Sequence, residues 1–257
     1  VNGNLFVNAN RTPGVQVPGN RGQLEKSWWA GEHEGYWKDG VTRMAFLTGD
    51  STFIRRAHQW VTEIVDASEK NGYIGVYTKE GRFPDEGYDG ELWTQSRIFQ
   101  VLLAYYELTG KEEVLEAVEK TVHKTIDHYR ESTYFGRPEP DGGVNHAIGY
   151  MDTLEWLYRL TGDEYYKNAA IWLYEDFNQN SVFEDLKIKN LLNPEYKWME
   201  HTPHVMEGLH MPVIVASFTG DSSYRKAADR VLELFDYHCN PGGGVVGGSD
   251  GPGVESV

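Results

Sequence analysis

Cysteine is nearly absent. Cys239 is the one thiol in 257 residues, which excludes an internal disulfide and any all-cysteine zinc site built from this chain alone. It sits beside Asn240-Pro241 at the end of a helical pattern, with no neighbour that would activate it as a nucleophile. Long apolar runs are missing too: none approaches the roughly 18 to 20 residues that a membrane-spanning helix needs, so a membrane is not an expected partner. Positive charge is scarce, since 24 Lys and Arg face 39 Asp and Glu for a formal charge of −15. A field of that sign repels phosphate backbones and anionic lipid, which argues against nucleic acid and leaves neutral ligands such as sugars open. The His-Glu-x-x-His pattern of zinc proteases is absent, and no linker-like tract divides the chain. A chain that begins at Val1 without a charged-then-apolar leader reads as mature or trimmed.

What is present is a repeat. Leu47-Thr48-Gly49-Asp50 returns as Leu108-Thr109-Gly110-Lys111, Leu160-Thr161-Gly162-Asp163 and Phe218-Thr219-Gly220-Asp221. Each copy follows a helix-periodic run. Gly suits a left-handed C-terminal cap and Asp can accept backbone N–H bonds as the next N-cap, so each copy reads as a corner between two helices. An aromatic or aliphatic residue stands four after each Gly (Phe53, Val114, Tyr166, Tyr224). Ala57, Ala117, Ala169 and Ala227 follow, where a small residue lets helices pack closely.

Residues 1–27 are polar and rich in Asn, Gly and Pro, and read as an extended lead-in. Apolar spacing then predicts helices over 28–47, 51–70, 88–108, 112–129, 146–160, 164–177, 202–218 (interrupted near Pro212) and 222–237. Asn71 to Tyr77 reads as a short extended crossing, residues 78–87 and 131–145 as loops, 178–200 as irregular, and the stretch from Pro241 as a glycine-rich tail. Four antiparallel hairpins fit a toroid of paired helices of the (α/α)6-barrel type, of which 28–257 would be an incomplete part. The closed form has six hairpins. An open part-ring would leave apolar helix faces uncovered, so the expectation is either a fragment or ends covered by another chain.

Carboxylates, histidines and aromatics recur where the first helix of each hairpin starts, which places them on one rim. They are Trp28 to Trp37 with Glu32 and Glu34, Tyr88 to Gln95 with Trp93, Asn145 to Asp152, and Glu200 to His204 with Glu207 and His210. Aromatic rings beside Glu, Gln and His suit a sugar, whose C–H faces stack on rings while its hydroxyls take directional hydrogen bonds. Glu32, Trp93, Gln95, His201 and His204 are the candidate substrate contacts. The plainer alternatives stand beside them. Trp28, Trp29, Trp37, Trp60, Trp156 and Trp172 read individually as core. Glu32 and Glu34 also suit a helix start by dipole alone. His201-x-x-His204 is by itself weak as a zinc pair, and reads as sugar contact or buried structural polarity.

In order, Trp29-x-Gly31-Glu32 with Gly35-x-Trp37, Asn71-Gly-Tyr-Ile-Gly-x-Tyr77, Leu102 to Gly110, and Leu157 to Asp163 together resemble the beta-L-arabinofuranosidase family, glycoside hydrolase family 127. So do His201 with Gly208-Leu-His-Met-Pro212, and His238 with Pro241-x-Gly243. The resemblance spans about residues 28–250. It implies an (α/α)6 barrel and retaining hydrolysis of a glycosidic bond in a plant-type or related saccharide. In this mechanism a zinc-held cysteine thiolate attacks the anomeric carbon, a glutamic acid protonates the leaving oxygen, and water resolves the covalent intermediate. Carried over, His201 matches a substrate-contacting histidine and Glu32 a rim carboxylate. Gln95 stands where the family often has His, at a position that bears on which sugar is bound. Cys239 matches none of the family's cysteine ligands, which come from segments after the Gly-rich tail. Asp250 lies near the family's first acidic zinc ligand. The resemblance therefore places the nucleophile, the acid/base and most zinc ligands beyond Val257.

Two rival readings remain. Another helical-toroid sugar enzyme, of the unsaturated glucuronyl hydrolase or epimerase type, would use His201 or Asp152 directly. A carbohydrate-binding fragment would bind without turnover.

Overall fold

The computed structural model describes residues 29–69, 72–77, 82–83, 90–137, 143–200 and 202–238. The lead-in, Trp28, His201, Cys239, the glycine-rich tail and Asp250 lie outside these residues. Every element among the described residues is helical and none is a strand, so the fold is all-α. The helices are α1 (Trp29–Thr48), α2 (Ser51–Glu69), α3 (Glu91–Thr109), α4 (Glu112–Arg130), α5 (Gly143–His146), α6 (Tyr150–Thr161), α7 (Glu164–Asn180), α8 (Ile188–Leu191), α9 (Thr202–Gly208), α10 (Met211–Thr219) and α11 (Ser222–His238).

The four repeated tetrapeptides are the four helix corners. Gly49, Gly110, Gly162 and Gly220 all take φ between 67° and 70°, the left-handed conformation that glycine adopts without cost. Asp50, Asp163 and Asp221 accept the backbone N–H two residues on, from Thr52, Tyr165 and Ser223, at 2.7 to 2.9 Å. The threonine adds a contact of its own. Thr48, Thr109, Thr161 and Thr219 each donate Oγ1–H to the carbonyl four residues back, at 2.7 to 2.8 Å. Thr closes one helix, Gly turns the chain and Asp opens the next.

The chain falls into two compact units. The first comprises residues up to Ser132 with Arg137–Thr153. Its centre is α3, buried from Glu91 to Phe99 and again from Val101 to Tyr105, and packed against α1, α4 and α5. Gly31 and Gly35 set the approach of α1. A Cβ at Gly31 would lie 2.7 Å from Thr94 Cγ2, and one at Gly35 would lie 2.6 Å from Arg97 Cβ. On α2, Ala57, Trp60, Val61, Ile64 and Val65 are buried, and on α4 so are Val114, Leu115, Val118, Val122 and Ile126, as their spacing predicts. Each large side chain so buried contributes about 1.5–3 kcal/mol. Trp37 departs from its core reading: it is more than a third exposed and meets Trp60 edge-on at 5.4 Å. Residues 72–77 are buried but form no strand.

Thr133–Gly136 and Leu154 onward form the second unit, held by α7, α10 and α11. Asp176 accepts from Thr133 Oγ1 and from the N–H groups of Tyr134 and Phe135, which fixes that turn on α7. The helix expected over 202–218 is two helices broken at Leu209–His210. Pro212, in the first turn of α10, has no N–H to donate and its ring crowds the carbonyl four back, so the break falls upstream of it. The stretch 178–200 is less irregular than its sequence suggests, because α7 runs on to Asn180 and α8 forms within it.

Candidate functional site

In the first unit Tyr36, Trp93, Gln95, His146 and Tyr150 come together where α1, α3 and the 143–150 segment meet. That segment is not one helix from His146. It runs as α5, a single 3-10 turn over Ala147–Gly149, and α6. A Cβ at Gly149 would fall 2.8 Å from both Trp93 and Arg97, so glycine lets this turn reach α3. Trp93 has no exposed surface. The Arg97 guanidinium lies 4.2 Å from its ring centroid, the His146 ring 5.0 Å away and the Tyr36 ring 6.3 Å away edge-on. A ring so covered has no face left for a sugar to stack on.

Gln95 is equally buried, and its Oε1 accepts from the Tyr150 hydroxyl at 3.3 Å. Gln95 Nε2, Trp93 Nε1 and one carboxylate oxygen of the half-buried Glu32 have no hydrogen-bond partner among the described residues. An unsatisfied buried donor costs about 1–3 kcal/mol, so each of these atoms calls for a partner such as ordered water or a ligand hydroxyl. Two residues along α1, on the other side of the helix, Glu34 pairs with the wholly buried Lys38 at 3.3 Å. Burial pushes the Lys38 ammonium below its ordinary range, and Glu34 opposes that.

Glu91 opens α3 with no exposed surface. It accepts from Tyr73 Oη at 2.8 Å, Tyr129 Oη at 2.5 Å and Phe83 N at 3.2 Å. Burial raises its carboxyl above the usual range against the pull of these three bonds. The residue ties the 72–83 segment to the start of α3, one turn from Trp93 and Gln95.

In the second unit, His204 is buried against Phe183 at 5.3 Å, one turn after Glu200. Thr202 Oγ1 is buried with no partner among the described residues. The segment leading there is clamped by two carboxylates. Glu200 accepts from the N–H groups of Glu184 and Asp185, while Asp185 accepts from Met199 N, Glu200 N and Tyr196 Oη. Burial raises both carboxyls. His238 stacks on Trp198 at 5.4 Å, and burial lowers its pKa while Asp185 opposes.

Sequence reasoning missed Arg97 and the Asp185–Glu200 clamp, whereas Tyr150 lies in the Asn145 to Asp152 cluster that it singled out. Arg97 carried a signal: it is the one cation in a 19-residue helix. Among the described residues no three His, Cys, Asp or Glu side chains come together as a metal site, so they supply no zinc ligand set. No described helix is long and apolar enough to cross a membrane.

Compared with protein families, residues 3–241 match the model described as Beta-L-arabinofuranosidase, GH127 catalytic domain. No curated protein and no solved structure matches the chain.

Proposed function

We propose, from the premise that this chain belongs to the beta-L-arabinofuranosidase GH127 catalytic-domain family, a retaining glycosidase that acts on plant-type oligo- or polysaccharide. Glycoside hydrolysis follows from the family, whose fold is an (α/α)6 barrel. The sugar and the stereochemistry are the proposal. The observation that carries it is the set of unpartnered buried polar atoms on the packed helices α1 and α3: Gln95 Nε2, Trp93 Nε1 and one oxygen of Glu32. Two donors and a carboxylate acceptor are the kinds of group that pair with the hydroxyls of a neutral sugar.

In this reading Gln95 and Trp93 donate to hydroxyl oxygens and Glu32 accepts from a hydroxyl, orienting the ring. Glu91 and Gly149 position them: Glu91 fixes the first turn of α3, and Gly149 brings the 3-10 turn against it. His201 and His204 are proposed as further sugar contacts in the second unit. Zinc and a thiolate nucleophile belong to the family reading, but no described residues would hold the metal, and no step is derived through it.

The test is a panel of p-nitrophenyl furanosides and pyranosides, with and without added zinc, followed by proton NMR of the first product anomer. Release from an L-arabinofuranoside with retained configuration is expected. Inversion, or no release from any furanoside, would overturn the reading. Gln95→Ala should raise KM about tenfold, the effect of about 1.4 kcal/mol of lost hydrogen bonding.

A further inference from the structure

Three cations are buried among the described residues: Lys38, Arg97 and Lys187. Two of them have a carboxylate beside them, since Lys38 pairs with Glu34 and Lys187 with Glu184. Arg97 does not. Its Nε donates to Ser96 Oγ at 3.2 Å, and that hydroxyl donates in turn to the Trp93 carbonyl at 2.7 Å. Nη1 and Nη2 have no hydrogen-bond or ion-pair partner among the described residues, Glu32 included. Burying a charge is costly unless an opposite charge meets it, so the exception calls for an anion.

The surroundings of Arg97 belong wholly to the first unit and leave it only 7% exposed, so little of it remains for any further segment to cover. The Trp93 ring centroid lies 4.2 Å from the guanidinium carbon and the Tyr36 centroid 5.5 Å from it, and neither ring carries charge. The Ser96 bond holds the Nε side. That leaves the two Nη groups as a planar fork, which matches the two oxygens of a carboxylate. Beside Nη2 stands Gly149, where a Cβ would fall 2.8 Å away, so glycine keeps that prong clear. Arg97 is also one turn beyond Trp93 on α3, the helix that carries Gln95.

We propose that Nη1 and Nη2 of Arg97 together bind a carboxylate of the saccharide, so that the substrate is an acidic one, in which a uronate adjoins the neutral ring held by Gln95, Trp93 and Glu32. The inference rests on the sugar reading of this site. Glu32 repels a carboxylate and accepts from a hydroxyl, which directs the acid group to Arg97. A neutral chain leaves the guanidinium unpaired, and that difference sets the preference.

Isothermal titration calorimetry tests this with D-galacturonate and D-glucuronate, each beside its methyl ester and its neutral parent sugar. The uronates should bind about tenfold or more tightly than the ester or the parent, the effect of a charge-assisted pair. Arg97→Gln should remove that preference and leave the affinity for the neutral parents unchanged, which loss of a merely structural arginine would not do. Arg97→Lys keeps the charge without the fork and should retain only part of the preference; it also serves should the Gln variant misfold. Acetate, a carboxylate without a ring, should displace the uronate only weakly. Neutral sugars bound as tightly as uronates would overturn the proposal alone and leave the sugar reading standing. A preference that survives in both variants, or acetate that displaces uronate at equal concentration, also overturns it. If neither kind of sugar binds, the sugar reading falls and takes the proposal with it.

Discussion

Glu91 shows how a single side chain couples this fold to pH. Its folded-state pKa is raised by burial, while in the unfolded chain it returns to about 4.3. Between those two values the native state holds a proton that the unfolded state has released. Stability from this residue is therefore present at the acid end of that window and lost as pH rises through it. Glu91→Gln keeps the shape and removes the titration. The expected outcome is a flatter dependence of melting temperature on pH above about 4 than in the parent; an identical slope in both proteins would sink the idea. Asp185 is a different case, because its carboxylate satisfies two backbone N–H groups and the Tyr196 hydroxyl at once. Asp185→Ala strands those donors and should cost about 1–3 kcal/mol in urea unfolding. A loss below ~0.5 kcal/mol, within the range of ordinary surface substitutions, would show that water replaces it.

At the scale of the helix, the second corner is the informative one. It shares the left-handed glycine and the threonine bond with the others, but Lys111 stands where they have Asp and makes no side-chain cap. Lys111→Asp should stabilise by about 0.5 kcal/mol, a typical cap gain of roughly 1 reduced by the lost contact of Lys111 with the Tyr105 ring. A thermal melt reads this directly, and destabilisation would mean that the flanking Glu112 and Glu113 outweigh the cap. Gly→Ala at any of the four corners should cost about 1–2 kcal/mol, set by backbone conformation alone, since a Cβ there would touch nothing. The corners were legible in sequence because their chemistry is confined to a few consecutive residues. The threonine bond was overlooked although its signal, four invariant threonines before four glycines, was in plain view. The break at 147–149 was not legible, since it depends on Gly149 meeting Trp93 and Arg97 from another helix. Residue types at the candidate site could be read in advance, but burial could not. Nothing local to Trp93 or Gln95 says that α3 is surrounded on nearly every side.

For the molecule as a whole, the excess of acid sets the solvent response. Self-repulsion at −15 works against the compact state, so the melting temperature should rise by a few degrees between about 10 and 500 mM salt. A flat or falling curve would mean that surface ion pairs such as Arg43–Asp39 and Lys167–Glu164 matter more than the net field. The corner bonds have a further consequence, in time rather than in energy. Each spans at most five residues, so no corner waits for distant chain. On a ribosome delivering about 5–20 residues per second, helix pairing that takes microseconds is finished long before the next corner is synthesised. The protein can assemble in the order in which it is made, one hairpin serving as the template for the next.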